Sequence, residues 1–571
     1  MTFLLLFACE GPVGSRIPDA PDADSGSGDT GDGPAAIEHC GAIVVDETWR
    51  SAREHRVTCD VTVERGTLTI EAGASVLFDE RAGLAVGTKD FEASLVVAGT
   101  EAGVVFARSG DQAWEGLVIG TSAQGVVISG LSLRGSGTGV RIDAAAVTVG
   151  SLAIDGVDEG CGLTLEGGAR LSDESAGVTV TGATGWSVCG EVATAHTLPA
   201  AASSYSGNGT DGIYLSGDAI TEDVMWENLG VPYVITEVVD IAGTAGAPAG
   251  LTIGGGTTLL FERDRGLRFS RTGDASGFVV EGTAAQPVVF DALGADTAGF
   301  WRGISASSGA AEVSLHHLSI SGAGGDGGSL HVEDVDVLLD EVSIDLSAGA
   351  GLWLEGAARI HSDSAGLTVS GSELPVILPA AAVPTLPASG LLLSGNLTDA
   401  IKVTGEAAVT ESGTWADTGL PYWVAGDVEI NGTAMTPAVV TFAPGVALLF
   451  GNDSSIFVGK TGAAGLRAAG TAGEPVSMLP WSAFTAGAWG GIGIYDSAVD
   501  ADVVFTHTEI GYAGGATMRG NVHIIDASPR LSDVRLHNSL EWGLYLGDGS
   551  SVLLSNVAYE NNAEGDCNEC I

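Results

Sequence analysis

Lysine is nearly missing from this chain. Only Lys89, Lys402 and Lys460 occur in 571 residues, and Lys plus Arg number 23 against 72 Asp plus Glu, a net charge of −49. A surface of that sign repels nucleic acid and anionic lipid headgroups, and acidic polysaccharides too unless cations screen the charge. The plain reading of the acid excess is a solubility or salt adaptation. The sharper one is divalent cation sites, with calcium the candidate ion and no ligand set that can be named. No stretch keeps a helical period long enough to build a helical domain. Glycine reaches 86 residues without a triplet period, which excludes collagen. Catalytic signatures are missing as well: there is no serine nucleophile elbow, no zinc-binding HExxH and no phosphate-binding Gly-Lys loop. Pieces such as "GTGVRIDAAA" are turn material. No catalytic residue and no cofactor is assigned.

What is present starts with the N-terminus, "MTFLLLFAC". Leu6-Phe7-Ala8-Cys9 resembles a bacterial lipobox, in which cleavage before Cys9 leaves that cysteine to be lipidated. The apolar run is short for a signal peptide and lacks a basic n-region, so the true start is expected upstream. Residues 10–36 form a Pro/Gly/Asp/Ser tract with no core-forming residues, which predicts a flexible acidic tether. Its "DADSGSGDTGDG" fails the spacing of an EF-hand calcium loop. Six further cysteines fall in local pairs, Cys40 with Cys59, Cys161 with Cys189, and Cys567 with Cys570. Six cysteines allow fifteen pairings. Proximity and an exported context favour these three bridges. "CNEC" at the C-terminus has no second CxxC and no nearby histidine, so it reads as a staple rather than a metal site.

The body repeats itself. "GVPYVITEVVDIAG" at Gly230 follows Trp226, and "GLPYWVAGDVEING" at Gly419 follows Trp415. "LTIGGGTTLLF" at Leu251 matches "VTFAPGVALLF" at Val440, "GFWRGI" at Gly299 matches "GAWGGI" at Gly487, and "GLTLEGGARLSDESAGVTVTG" at Gly162 matches "GLWLEGAARIHSDSAGLTVSG" at Gly351. The first third joins more weakly, through Trp49, "LTIEAGASVLF" at Leu68, "AGTEAGVVF" at Ala98 and "QAWEGL" at Gln112. Three long units follow, 37–205, 206–394 and 395–571, the last with a C-terminal cap; residues 1–9 are the lipoprotein signal remnant. Inside each unit, runs of four to six residues alternate apolar with small or polar side chains, and Gly, Asp or Asn punctuates them. Short strands that stack on the next turn of a coil fit this rhythm.

Strings such as "LTIEAGASVLF…LVVAGT…VVF…W-x-GL" resemble the bacterial right-handed parallel β-helix proteins, whose shape is shared with pectate lyases. The resemblance covers roughly residues 40 to 565. It implies an all-β solenoid of three long repeats, on the order of 100 Å long at ~4.8 Å per rung over roughly twenty-odd rungs. It says little of function, since this architecture hosts lyases, hydrolases, adhesins and inert stalks. Pectate lyase relatives hold calcium with clustered aspartates and use Arg or Lys as base. No such cluster recurs at rung spacing here.

Three sets of residues tempt a functional reading. His507, His523 and His537 are spaced to stack on successive rungs, where they would bind metal or act as acid and base; position 507 aligns with His317 and Gly130, which favours a structural role. Trp114, Trp301 and Trp489 recur in all units, each followed by x-Gly-Ile/Leu. Exposed, they would stack on sugars; packed, they would seal the coil, and packing is favoured. Asp211 and Asp399 recur in "GNGTD" and "GNLTD" and are turn formers before they are calcium ligands. The function expected is a non-enzymatic, lipid-anchored surface protein, at the outer membrane or cell surface or released outside the cell. It contacts polysaccharide, other cells or envelope components, does not bind nucleic acid, and meets the membrane only through its N-terminal lipid. The alternative is a polysaccharide lyase or glycoside hydrolase working in a groove along the coil.

Overall fold

The computed structural model describes residues 36–570 except 101, 272, 453, 516 and 517. Cys9 and all but the last residue of the 10–36 tract lie outside the described residues. The rest is a parallel β-helix with three short strands per turn. In the first repeat one turn comprises Gly66–Glu71, Ser75–Phe78 and Leu84–Val86. The next turn lays Ala93–Ala98, Val104–Arg108 and Leu117–Ile119 on them in parallel register. Alternation decides which residues enter the core: Leu68, Ile70, Val76, Phe78, Leu84 and Val86 are at most 1% exposed. The strand period of two sends their neighbours outward. Inward side chains from the three faces meet on the axis, and the row of such layers is the core.

The doubled phrase has a packing role. Pro232 and Pro421 immediately precede the strands Tyr233–Ile235 and Tyr422–Val424, where no ladder donor is lost. Each tyrosine is buried against a tryptophan, Tyr233 on Trp226 and Tyr422 on Trp415, with ring centroids 5.3 Å apart in both. The hydroxyls donate to Glu227 O and Ala416 O, both at 2.7 Å. In the first repeat His55 stands beside Trp49 in that place, and His39 Nε2 lies 2.8 Å from its Nδ1.

The repeats do not stack face on face. Thr258–Phe261 of the second repeat is the sequence counterpart of Ser75–Phe78, on the second face of the first. It sits instead on the ladder that descends from the third face: Leu163–Glu166, Trp186–Glu191, Thr210–Ser216, Tyr233–Ile235, Thr258–Phe261. The same handover recurs one repeat later. The third-face ladder that holds Gly266–Phe269 and Gly303–Ala306 runs on through Ile401–Thr404 and Tyr422–Val424 into Ala447–Phe450, the second-face strand of the third repeat. Each repeat therefore ends one face past a whole number of turns. A short 3-10 turn lies at each seam, Ala195–Thr197 and Ala380–Thr385. Thr197 and Thr385 fill the same role there, their hydroxyls accepting from Leu171 N and Ile360 N.

Disulfides join Cys40 to Cys59, Cys161 to Cys189 and Cys567 to Cys570, the local pairing expected. Such bridges fit an oxidising compartment. Among the described residues no helix is long and apolar enough to cross a membrane.

Candidate functional site

The recurring tryptophans are inside the coil. Trp114, Trp301 and Trp489 are fully buried. Each stacks on a phenylalanine, Phe78, Phe261 or Phe450, at 3.9–4.0 Å between centroids. Their Nε1 groups donate to Arg134 O, Ser321 O and Gly511 O. A sugar cannot reach these rings. The histidines form no ladder either: His523 lies on a different sheet from His507 and His537. His507 occupies a tight corner with φ +43°, and its aligned partners His317 and Gly130 have φ +44° and +70°. That position is kept for backbone shape. Asp211 and Asp399 cap their own turns, accepting from the backbone N–H of Gly207 and Asn208 and of Gly395 and Asn396. Those N–H groups hold both carboxyls below the usual range. Among the described residues no group of three or more His, Cys, Asp or Glu is placed to hold a metal ion.

The two seams differ where their aligned residues differ. At the first, Cys161 and Cys189 are bridged. At the second, Ala350 and Ile377 stand in those places and line a groove of about 590 Å³ with Gly324, Gly325, Gly349, Glu373 and Lys402. The backbone approach is close: a Cβ on Gly349 would sit 2.0 Å from Gly327 O. The outward line on this face reads His331, Trp353, Ile377, Lys402, Trp423, one residue per rung. His331 stacks on Trp353 at 4.3 Å and donates through Nε2 to Glu355 at 2.8 Å. Trp423 stacks on Trp481 at 4.7 Å, and the Lys402 ammonium lies 5.1 Å from the Trp423 ring centroid. On the first seam the same line reads Arg141, Thr164, Cys189, Tyr214, Val234. A second hollow, of about 380 Å³, opens at the second seam between Pro384, Leu386, Pro387, Leu391 and Tyr422. At the first seam buried Tyr205 stands in the place of Leu393 and donates to Pro199 O, the counterpart of Pro387.

The third repeat carries a cluster that its siblings lack. Glu509, Arg535 and Glu560 lie on three successive rungs with His537 beside them. The equivalent positions are Ser319, Ser343, Ser370 and Asp345 in the second repeat. In the first they are Ser132, Ala153, Thr181 and Asp155. Arg535 donates to Glu509 Oε1 through Nη1 and to Glu560 Oε2 through Nη2 at 2.6 Å. That guanidinium holds Glu560 below the usual carboxylate range. His537 is buried, its Nε2 is 3.0 Å from Glu509 Oε1, and its Nδ1 accepts from Asn538. Burial and then Arg535 push its pKa down, against Glu509. An acid catalyst needs a carboxyl that keeps its proton near neutral pH, and Glu560 here is held ionised. The sequence reading, which looked for clusters that recur, passed over this one. Its signal was the spacing of 26 and then 25 residues, one rung each.

Comparison of the chain with protein-family models, with curated proteins and with solved structures finds no match.

Proposed function

We propose that the protein is an exported, lipid-anchored β-helix of the right-handed bacterial type that binds a neutral polysaccharide strand and catalyses nothing, with the groove at the second seam as its binding site. The observation that supports this reading is the exchange at aligned positions. A disulfide at one seam gives way at the other to an open groove between two aromatic stacks. Trp353 and Trp423 are three rungs apart, ~14 Å, which leaves room for a short run of sugar rings between them. Ring faces and edges suit the C–H faces of sugars, and the bare glycine backbone with Glu373 and Lys402 supplies hydrogen-bonding groups for hydroxyls. The acidic body disfavours polyanions. Ala348 is exposed and lines the groove, so Ala348→Trp fills it without touching the core. On a glycan array the variant should lose part of the binding that the parent shows, with an unchanged melting temperature. Undiminished binding in a folded Ala348→Trp protein refutes the site.

The hydrolase reading has one specific observation behind it, the carboxylates Glu509 and Glu560 with Arg535 between them. Release of new reducing ends from a neutral glycan, abolished by Glu509→Gln, would establish it in place of the binding reading.

A further inference from the structure

Because each repeat ends one face past a whole turn, equivalent positions in successive repeats look in different directions. His331 and Trp353 of the second repeat correspond to His523 and Tyr545 of the third. The first pair lies on the ladder that includes Gly328–Glu333, Ala350–Glu355 and Tyr422–Val424. The second lies on a separate six-stranded sheet, through Ser455–Val458, Gly491–Ile494, Gly520–Ile524 and Trp542–Leu546. On that sheet His523 and Tyr545 meet edge to face with centroids 4.9 Å apart. Arg519 donates to the Tyr545 hydroxyl at 2.8 Å, and its guanidinium lies 5.1 Å from the ring centroid. Three rungs back along the same outward line, Lys460 sits 4.5 Å from the Phe457 ring centroid. Rings recur along this line too, half-buried Tyr545 and buried Phe457, with Arg519 and Lys460 against them as Lys402 lies against Trp423 beside the groove.

We propose that the Tyr545 face is a second glycan-binding stripe, and that the protein bridges two polysaccharide strands. The proposal rests on the glycan reading above. A strand lying along one face cannot also reach a face turned a third of a turn away. The two stripes therefore give no avidity on one straight chain and hold two chains at a fixed angle instead.

The experiment uses hydroxyethylcellulose, a soluble neutral glucan, in two batches, one biotinylated and one fluorescent. The protein is mixed with both, biotin is captured on beads, and captured fluorescence is read. Binding to each batch alone is measured in parallel. The parent should bring fluorescent chains down with biotinylated ones. Trp353→Ala and Tyr545→Ala, each checked for folding by its melting temperature, should still bind single batches yet lose co-capture. Binding without co-capture in the parent overturns the bridging proposal and leaves the glycan reading standing, as does co-capture undiminished in folded Tyr545→Ala. Failure to bind this glucan, together with failure to bind any neutral polysaccharide on the array, overturns both.

Discussion

The first seam and the second are made from aligned residues and solve the same problem, the handover of a ladder from one repeat to the next. The first closes the joint. Cys161–Cys189 ties consecutive turns together, and buried Tyr205 bonds to Pro199 O just past the 3-10 turn. The second leaves it open, with Ile377 and Leu393 in those places, two hollows, and Leu392 and Leu397 at 62% and 84% exposure where the first has Ser204 and Gly209. Both joints keep the threonine cap, the Asp turn and the Trp–Tyr pair of the next repeat. What a seam needs is thus separable from what fills it. Exposed leucines and an unfilled groove add nothing to the stability of a solenoid, and they are what the proposed binding site rests on.

The comparison can be broken by making the seams alike. Ala350→Cys with Ile377→Cys should form the missing bridge at the second seam. For a loop of this size the gain is ~3 kcal/mol, read as a raised melting temperature that reducing agent abolishes. A double variant found by mass spectrometry to keep both thiols free would show that the seams differ in geometry and not only in side chains. In the other direction, Tyr205→Leu should hollow the first seam at a cost of about 2 kcal/mol, seen as a lower denaturant midpoint with an unchanged slope. A change below the error of the midpoint would mean that the bulk and hydroxyl of Tyr205 contribute nothing.

Acid should separate the seams more gently. His196, in the 3-10 turn of the first seam, is half-buried with Nδ1 unpartnered, and burial pushes its pKa below the ordinary 6.5, while Glu222 and Arg170 oppose each other nearby. The unfolded chain therefore takes up the proton first as pH drops. The contribution of neutral His196 is fully present above pH 6.5 and is lost as pH falls through its folded value. The second seam has Pro384 there and no such group. Hydrogen exchange at mildly acidic pH should rise around Trp186–Glu191 before it rises around Leu374–Pro379, and His196→Ala should remove the difference. Equal exchange at both seams would count against it. The smallest effect on the body is expected from Cys9→Ser. It should leave the melting temperature unchanged while abolishing fatty-acid labelling of protein produced in an exporting bacterial host, and labelling that persists rules out Cys9 as the attachment point.

Much of the fold was legible because its cause is local. Alternation in "LTIEAGASVLF" places Leu68 and Ile70 inside by the strand period alone, and a tryptophan followed by x-Gly-Ile/Leu in three copies behaves as a core position should. The cysteine pairs were legible from proximity. The one-face advance was not, since a repeat length of about 189 residues does not state how many turns it makes. That number depends on corner lengths that vary from rung to rung. The histidine spacing hid its outcome for the same reason: 16 and 14 residues suggest one rung each, but rungs here run nearer 25, and His523 falls on a different sheet from His507 and His537. The groove was hidden more deeply, because Ala350 and Ile377 are unremarkable residues that mean something only beside Cys161 and Cys189. Arg535 between Glu509 and Glu560 was visible as spacing and was passed over because it occurs once.

The bridge Cys40–Cys59 has a mechanical consequence. A parallel coil pulled along its axis from one end peels strand by strand, and the hydrogen bonds of the outermost rung carry the load first. Tension arriving from residues before Cys40 meets the bridge in the first strand, Ile37–Ile43, and passes through sulfur to Cys59 in the strand His55–Val63. That second strand spans two faces and pairs onward with both Ser75–Phe78 and Leu84–Val86. The load is thereby shared between two ladders at once, and the loop between the two cysteines is slack by construction. Reduction of this single bond should lower the force at which the N-terminal rung gives way while leaving the force needed to open the rungs beyond it unchanged.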